Sequence, residues 1–339
     1  MPSSRAWFVD RYGGPERLVL RERPDPRPGS GEVLVRTAAI GLNFADLFVR
    51  SGDYPRTPKA PFVPGMEISG TIEAAGSDVA AFAPGQPVVA LPIFGGHAEK
   101  VSVPVTRVFP LPEGVDRIEA AAVAVTFLTA WYACHRAQVA AGERVVVTAA
   151  AGGVGTALLQ LLRERGAVVV ALVGSEPKLS LCRELGAAAA GLYGSAGELI
   201  DRTFDGHPDV VFDAVGGRLF SRLWRRRAAG GRYVLYGVAA ASGARGVAKW
   251  TAARELLGMG FHSPYEVIQS CRTLIGFNLS LLSDRSGELR RGAEEVFASW
   301  KQGRIRPILG PRFRFEDLPD AHRALASRKT TGKVVVTVP

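Results

Sequence analysis

Cysteine is scarce in this 339-residue chain: three residues, Cys134, Cys182 and Cys271, with neither an even pairing pattern nor metal-ligand spacing. That excludes a disulfide framework and a cysteine-built zinc lobe, and it points to a reducing compartment, the cytoplasm. The five histidines (His97, His135, His207, His262 and His322) are scattered and read as surface or core residues. No apolar run is long enough to cross a bilayer without charges or turn residues, so no stable membrane insertion is expected. The opening MPSSRAWFVDRYGG lacks the apolar centre of a signal peptide. Internal repeats, low-complexity tracts and an RNA-binding aromatic signature are also missing.

What is present is a globular balance, 47% hydrophobic and 22% charged, in a chain longer than one core usually serves. The net charge of +10 is mostly arginine spread along the chain. The one dense run, Arg225–Arg227, follows Leu219, Phe220, Leu223 and Trp224 at helical spacing. It reads as the wet face of an amphipathic helix rather than a nucleic-acid patch. The first third contains short strands cut by Gly and Pro. After Leu111-Pro112-Glu113-Gly114, helices alternate with near-continuous apolar strands, as in a parallel, doubly wound α/β sheet. IEAAAVAVTFLTAWYACHRA reads as one helix, Thr273–Leu282 as a late strand and GELRRGAEEVFASWKQGRI as an amphipathic helix. GKVVVTV reads as a closing strand that returns to the N-terminal strands.

The stretch TAAAGGVGTALLQLL (Thr148–Leu162) lies between the apolar strands RVVV and VVVALV. A Rossmann turn uses three small residues: one for the tight turn, one for backbone approach to a pyrophosphate, and one for close helix–strand packing. Ala150, Gly152 and Gly155 take those places, and Ala is tolerable at the first if its φ is negative. The amides of Gly152, Gly153, Val154 and Gly155, opening a helix predicted over 153–165, would cradle the pyrophosphate. The second strand ends at Gly174-Ser175, without the acidic residue that favours NAD. That leaves room for a 2′-phosphate. Ser175 would donate to it, Lys178 would supply charge and Tyr193 a hydroxyl, so the expected cofactor is NADPH. The plainer alternative for Lys178 is a solvated helix lysine.

GLNFADLFVRSGDY (Gly41–Tyr54), PGMEISG (Pro64–Gly70), TAAAGGVG, DAVGG (Asp213–Gly217) and GKVVVTV together resemble the medium-chain dehydrogenase/reductase superfamily. Within it the chain resembles the zinc-free quinone oxidoreductase group, which includes zeta-crystallin. PGMEISG with IGFNLSLL is most similar to the branch containing the synaptic vesicle membrane protein. The resemblance implies an α/β fold in which a Rossmann-type doubly wound parallel sheet domain is inserted in a GroES-like β-barrel domain. The expected boundaries are 1–124 for the first GroES-like segment, 125–284 for the Rossmann domain and 285–339 for the return. The places matching the zinc ligands of metal-dependent relatives are Asn43, Met66 and Val125, none of which can replace those ligands, so no catalytic metal is expected.

A pocket without a metal suits acceptors whose conjugation spreads the arriving charge, namely quinones and α,β-unsaturated carbonyls. By resemblance the catalytic residues are Asn43 and Tyr54, as donors to the substrate oxygen, with Asp46 orienting its neighbours. Asn43 also fits a helix cap, Asp46 an ion pair with Arg50, and Tyr54 a plain lining residue. The resemblance brings Thr129, Gly216, Gly237, Phe277 and Asn278 to the nicotinamide end, with Lys333 reaching the cofactor, and makes residues 238–254 a variable rim. An enoyl-thioester reductase of secondary metabolism is a close variant. A non-catalytic nucleotide-responsive protein binding RNA or membrane is the alternative of another class. The resemblance also implies a homodimer, since the last Rossmann strand of such proteins often pairs with its two-fold mate, and the β-branched and aromatic content of Thr273–Leu282 suits that strand.

Overall fold

The computed structural model describes residues 2–204, 206–241, 247–282 and 285–339. Part of the predicted rim (242–246) and the expected boundary at 284 lie outside the described residues. The chain divides into two compact units. One comprises Met1–Leu128, Ser283–Lys301 and Arg306–Pro339; the other comprises Thr129–Leu282 and Gln302–Ile305.

The first unit opens with β1 (Ser3–Val9), β2 (Leu18–Pro24) and β3 (Glu32–Leu42), then α1 (Phe44–Ser51). It continues with β4 (Ile68–Ala75), β5 (Pro87–Ala90), β6 (Lys100–Pro104), β7 (Val108–Pro110) and α2 (Arg117–Ala120). The division between the units falls within α3 (Ala124–Ala137). The predicted single helix over this region is two: Asp116 caps α2 through the amides of Ile118 and Glu119, and a turn separates it from α3.

The second unit carries β8 (Arg144–Thr148), α4 (Gly153–Glu164), β9 (Val168–Val173), α5 (Leu179–Glu184) and β10 (Ala189–Leu192). Then come α6 (Ala196–Phe204), β11 (Val210–Asp213), α7 (Gly217–Trp224), β12 (Arg232–Leu235), α8 (Val247–Leu257), α9 (Pro264–Gln269) and β13 (Thr273–Gly276). Its sheet is parallel in the order β10-β9-β8-β11-β12-β13. Numbered within the unit this is 3-2-1-4-5-6, the doubly wound order whose switch point lies between β8 and β11. Val145–Val147, Val169–Val173 and Val210–Phe212 are all buried, as strands covered on both faces require. Each Val, Leu or Phe side chain among them contributes roughly 1.5–3 kcal/mol by leaving water.

The predicted strand Thr273–Leu282 is shorter than expected. β13 stops at Gly276 because the Asn278 side chain accepts from the Ser280 amide and caps a 3-10 turn over Leu279–Leu281. The reading of the arginine run is corrected too. Leu219, Phe220, Leu223 and Trp224 are buried on α7, but the helix ends at Trp224. Arg227, instead of facing water, is buried with its guanidinium 3.7 Å from the Trp224 ring centre.

The chain returns to the first unit through α10 (Ser286–Lys301), β14 (Leu309–Arg314), α11 (Leu318–Ala326) and β15 (Lys333–Thr337). The seven-stranded sheet there runs β14-β15-β3-β4-β5-β7, with β6 also on β3. β3 is its axis. Residues 32–36 pair with β6 and residues 39–42 with β15, and a register shift between Thr37 and Ala39 marks the handover. Trp7, Ile40, Leu42, Ile68, Phe62, Phe315 and Val334 lie in this unit's core.

Candidate active site

In the second unit every parallel strand ends at the same edge, and the turns that follow gather most of the predicted cofactor residues there. Ala150 takes a negative φ, as its place in the motif requires, while the neighbouring Ala149 carries the left-handed turn at φ 49°. Gly152 is the extended N-cap of α4. Gly155 admits no side chain: a Cβ would lie 2.3 Å from the Ala149 oxygen and 2.6 Å from Ala150 backbone atoms. That glycine is what lets α4 start directly against the strand end. The amides of Gly153, Val154 and Gly155, in the helix's first turn, precede any intrahelical acceptor, and the helix dipole adds partial positive charge.

At the end of β9, Gly174 and Ser175 are exposed. Tyr193, following the adjacent β10, lies against them: a Cβ at Gly174 would come 3.4 Å from the Tyr193 ring. Lys178 sits in the 3-10 turn after Ser175, half-buried, and burial pushes its pKa down. The three residues predicted for the 2′-phosphate thus occupy neighbouring turns.

Across the switch point the chain builds a buried carboxylate that sequence reasoning missed. Asp213 Oδ1 accepts from the Thr148 hydroxyl at 2.7 Å and the Val215 amide at 2.8 Å. Its Oδ2 accepts from the Tyr233 hydroxyl at 2.7 Å and the Gly216 amide at 3.1 Å. Desolvation, then the Asp213 charge, keeps the Tyr233 phenol neutral and donating. Gly216 has φ 66° and ψ −149°, open only to glycine. Gly237 permits close approach of two loops, since a Cβ there would meet the Ala214 oxygen at 2.8 Å. Phe277 packs on Tyr132 and Tyr236, with ring centres 4.9 and 6.4 Å apart. Among the described residues the buried Tyr236 hydroxyl has no hydrogen-bond partner, and burial pushes its pKa up. A glycine that no Cβ can replace, free first-turn amides and an orphaned buried hydroxyl on one strand-end edge fit a dinucleotide. Thr129 lies buried within α3, the first residue of this unit.

The first unit holds the residues expected to be catalytic, together with Lys333. Asn43 is the N-cap of α1, and its amide nitrogen donates to Gly41 O at 3.0 Å and to Glu67 Oε2 at 3.2 Å. Both amide hydrogens are therefore engaged inside the protein. Lys333, expected at the cofactor, is buried within its own unit. Its buried ammonium donates to Asn43 Oδ1 and Glu67 Oε2, both at 2.5 Å. Asp46 accepts from the Asn43 backbone amide at 2.8 Å, as the N3 residue of a capping box does. Arg50 is not its partner; that guanidinium donates to Gly13 O and faces His322 Nδ1. Burial raises the Asp46 carboxyl to about 7. Tyr54 is half-buried against the core of its unit. Glu67 was not singled out from the sequence, although a glutamate directly before the apolar strand Ile68–Ala75 was a usable signal.

Among the described residues no group of three or more His, Cys, Asp or Glu is placed to hold a metal ion. Nor is any helix there long and apolar enough to cross a membrane.

Residues 29–113 match the alcohol dehydrogenase GroES-like domain, and residues 185–336 match a domain described as zinc-binding dehydrogenase. The chain is 32% identical to the synaptic vesicle membrane protein VAT-1 homolog of Rattus norvegicus, over 99% of its own length and 84% of that protein's. It is 33% identical to quinone oxidoreductase-like protein 2 of Bos taurus, over 95% and 90%. Among solved structures it resembles the quinone oxidoreductase of Thermus thermophilus, described also in complex with NADPH, with a TM-score of 0.80 and 37% identity over 98% and 99% of the two chains. With its parallel Rossmann-like sheet and antiparallel GroES-like sheet, the chain belongs to the quinone oxidoreductase/VAT-1 branch of the medium-chain dehydrogenase/reductase superfamily.

Proposed function

We propose that this protein is a metal-independent reductase that uses NADPH to reduce a quinone or an α,β-unsaturated carbonyl. NADPH, when bound, supplies the hydride. The observation that carries the reading is the glycine turn at the switch point: Gly155 excludes any side chain where α4 meets β8, and it does so at the strand-end edge where such folds bind dinucleotides. The amides of Gly153, Val154 and Gly155 hold the pyrophosphate, while Ser175, Lys178 and Tyr193 hold the 2′-phosphate. Gly216, Gly237, Phe277 and Thr129 enclose the nicotinamide end.

The preference for conjugated acceptors follows from what the chain offers at the places matched to zinc ligands. Asn43 is spent on internal hydrogen bonds, Met66 is buried and apolar, and Val125 contributes only its backbone amide, to Glu67. None polarises a carbonyl as a metal does. Acceptors that delocalise the incoming charge need fewer donors, and orienting the two reactants supplies much of the acceleration. Tyr54, half-buried at the end of the Gly41–Tyr54 segment, is the residue assigned to donate to the acceptor oxygen.

The reading includes a homodimer through β13. That strand is an exposed edge of the six-stranded sheet, with Leu274 outward, and Leu257, Phe261, Tyr265 and Ile268 expose a large apolar surface on and between α8 and α9. A bare edge beside such a surface is covered by pairing with a second copy.

Calorimetry with NADPH and with NADH, followed by turnover of quinones, enones and enoyl thioesters read from reduced-nicotinamide absorbance, tests the proposal. Binding of NADPH with turnover of at least one acceptor class is expected. No heat with either nucleotide, or stoichiometric zinc in the active protein, would overturn it.

A further inference from the structure

Strand pairing brings two charged side chains together above a glycine. β3 is flanked near its end by β4 and by β15. The register sets Ile68 opposite Ile40 and Val334 opposite Leu42, so Glu67 and Lys333 stand beside the last turn of the strand, where Gly41 leads to Asn43. Gly41 has no room for a side chain; a Cβ there would lie 2.0 Å from the Ala121 oxygen and 2.7 Å from Glu67 Oε2. Over that gap the Lys333 ammonium meets Glu67 Oε2 at 2.5 Å, with both side chains almost wholly withdrawn from water.

The pair reaches further than itself. Lys333 donates to Asn43 Oδ1, and Glu67 Oε2 accepts from Asn43 Nδ2, so the amide is held from both sides and cannot flip. The other glutamate oxygen accepts from the Val125 amide at 2.7 Å, fixing the start of α3. Met66 is the chain neighbour of Glu67. The three positions that resemblance matches to zinc ligands are therefore tied to one buried ion pair.

We propose that the Glu67–Lys333 pair is a positioning device for the reductase site, with the Lys333 ammonium as the fixed cation that organises Asn43 and the first turn of α3. This rests on the metal-independent reading above. Neither residue touches substrate; both act through Asn43 and Val125. A buried ion pair gives weak net stabilisation after its desolvation cost, whereas removing one partner alone is strongly destabilising. The test therefore removes both charges together.

The variant Glu67→Gln/Lys333→Met keeps shape while abolishing the pair, and Lys333→Arg keeps the charge. With folding verified by thermal melting and NADPH binding by calorimetry, the double variant is expected to bind NADPH within about threefold of the parent. Its kcat should fall at least tenfold with little change in KM, and Lys333→Arg should restore most of kcat. Undiminished kcat in the folded double variant would overturn the proposal, because a purely structural pair predicts that result. A crystal structure of the double variant gives a readout independent of turnover. A rotated Asn43 amide supports the device, and an amide left in place refutes it. An inactive parent enzyme would instead refute the reductase reading, and the Asn43 geometry would still decide this one.

Discussion

Acid should weaken the first unit through a histidine that cannot take up a proton. His97 is fully buried, and among the described residues neither ring nitrogen has a hydrogen-bond partner. Its ring stands edge-on to His322, with centres 5.4 Å apart. His322 Nδ1 lies 2.9 Å from Arg50 Nη1, and a guanidinium only donates, so that nitrogen is the acceptor and His322 is neutral. A proton on His97 would sit in a desolvated core near the Arg50 cation; burial, then Arg50, lowers its pKa to about 3. The unfolded value is about 6.5. Between those limits the unfolded chain binds the extra proton, so stability is full above about pH 6.5 and falls as pH drops toward 3. The slope is about 1.4 kcal/mol per pH unit, which makes the loss at pH 5 about 2 kcal/mol from His97 alone.

Asp46 works in the opposite sense. Its folded pKa of about 7 lies above the unfolded carboxylate value, so its protonated form favours the fold as pH falls. The test must therefore isolate His97. His97→Phe removes the titration while filling the space, and urea unfolding of parent and variant at pH 7.5 and pH 5 gives two differences. The parent should lose about 2 kcal/mol more than the variant between the two pH values. Equal losses would show that His97 takes up a proton within the fold and would refute the reasoning.

Gly155→Ala should fold poorly or lose NADPH affinity more than tenfold by calorimetry, because the new methyl would sit 2.3 Å from the Ala149 oxygen. Ser175→Asp places a carboxylate where the 2′-phosphate is proposed, and should shift preference from NADPH toward NADH by at least tenfold in the ratio of dissociation constants. Leu274→Lys puts a charge on the exposed edge strand and should turn a dimer into a monomer by light scattering, with stability of the monomer changed by less than about 1 kcal/mol.

What could be read from the sequence was what depends on neighbours along the chain. The glycine turn was legible because its demands are local: Gly155 leaves the room α4 needs against β8, and Ala150, at a negative φ, needs no glycine. The parallel sheet was legible because strands covered on both faces leave unbroken apolar runs such as Val168–Val173. The partners of Asn43 and Lys333 were not legible because they lie far away along the chain. Glu67 and Lys333 are 266 residues apart, and only the pairing of β15 and β4 with β3 brings them together. Arg227 was misplaced because the helical period was extended beyond Trp224, where the helix stops and the guanidinium folds back onto the indole. The His97–His322 pair was invisible for the same reason as the ion pair: nothing in the spacing of scattered histidines announces a shared core.

The order in which the chain is made matters for that ion pair. The second unit is almost continuous, so nearly all of it emerges from a ribosome as one block and can fold while synthesis proceeds. The first unit cannot finish, because β15 completes the flank of β3 only after the whole second unit has been translated. During that interval Glu67 has no cation and the end of β3 has an open side. A nascent chain halted before residue 333 should therefore hold a protected nucleotide-binding half beside a protease-sensitive one, and release of the last strand should close both gaps at once.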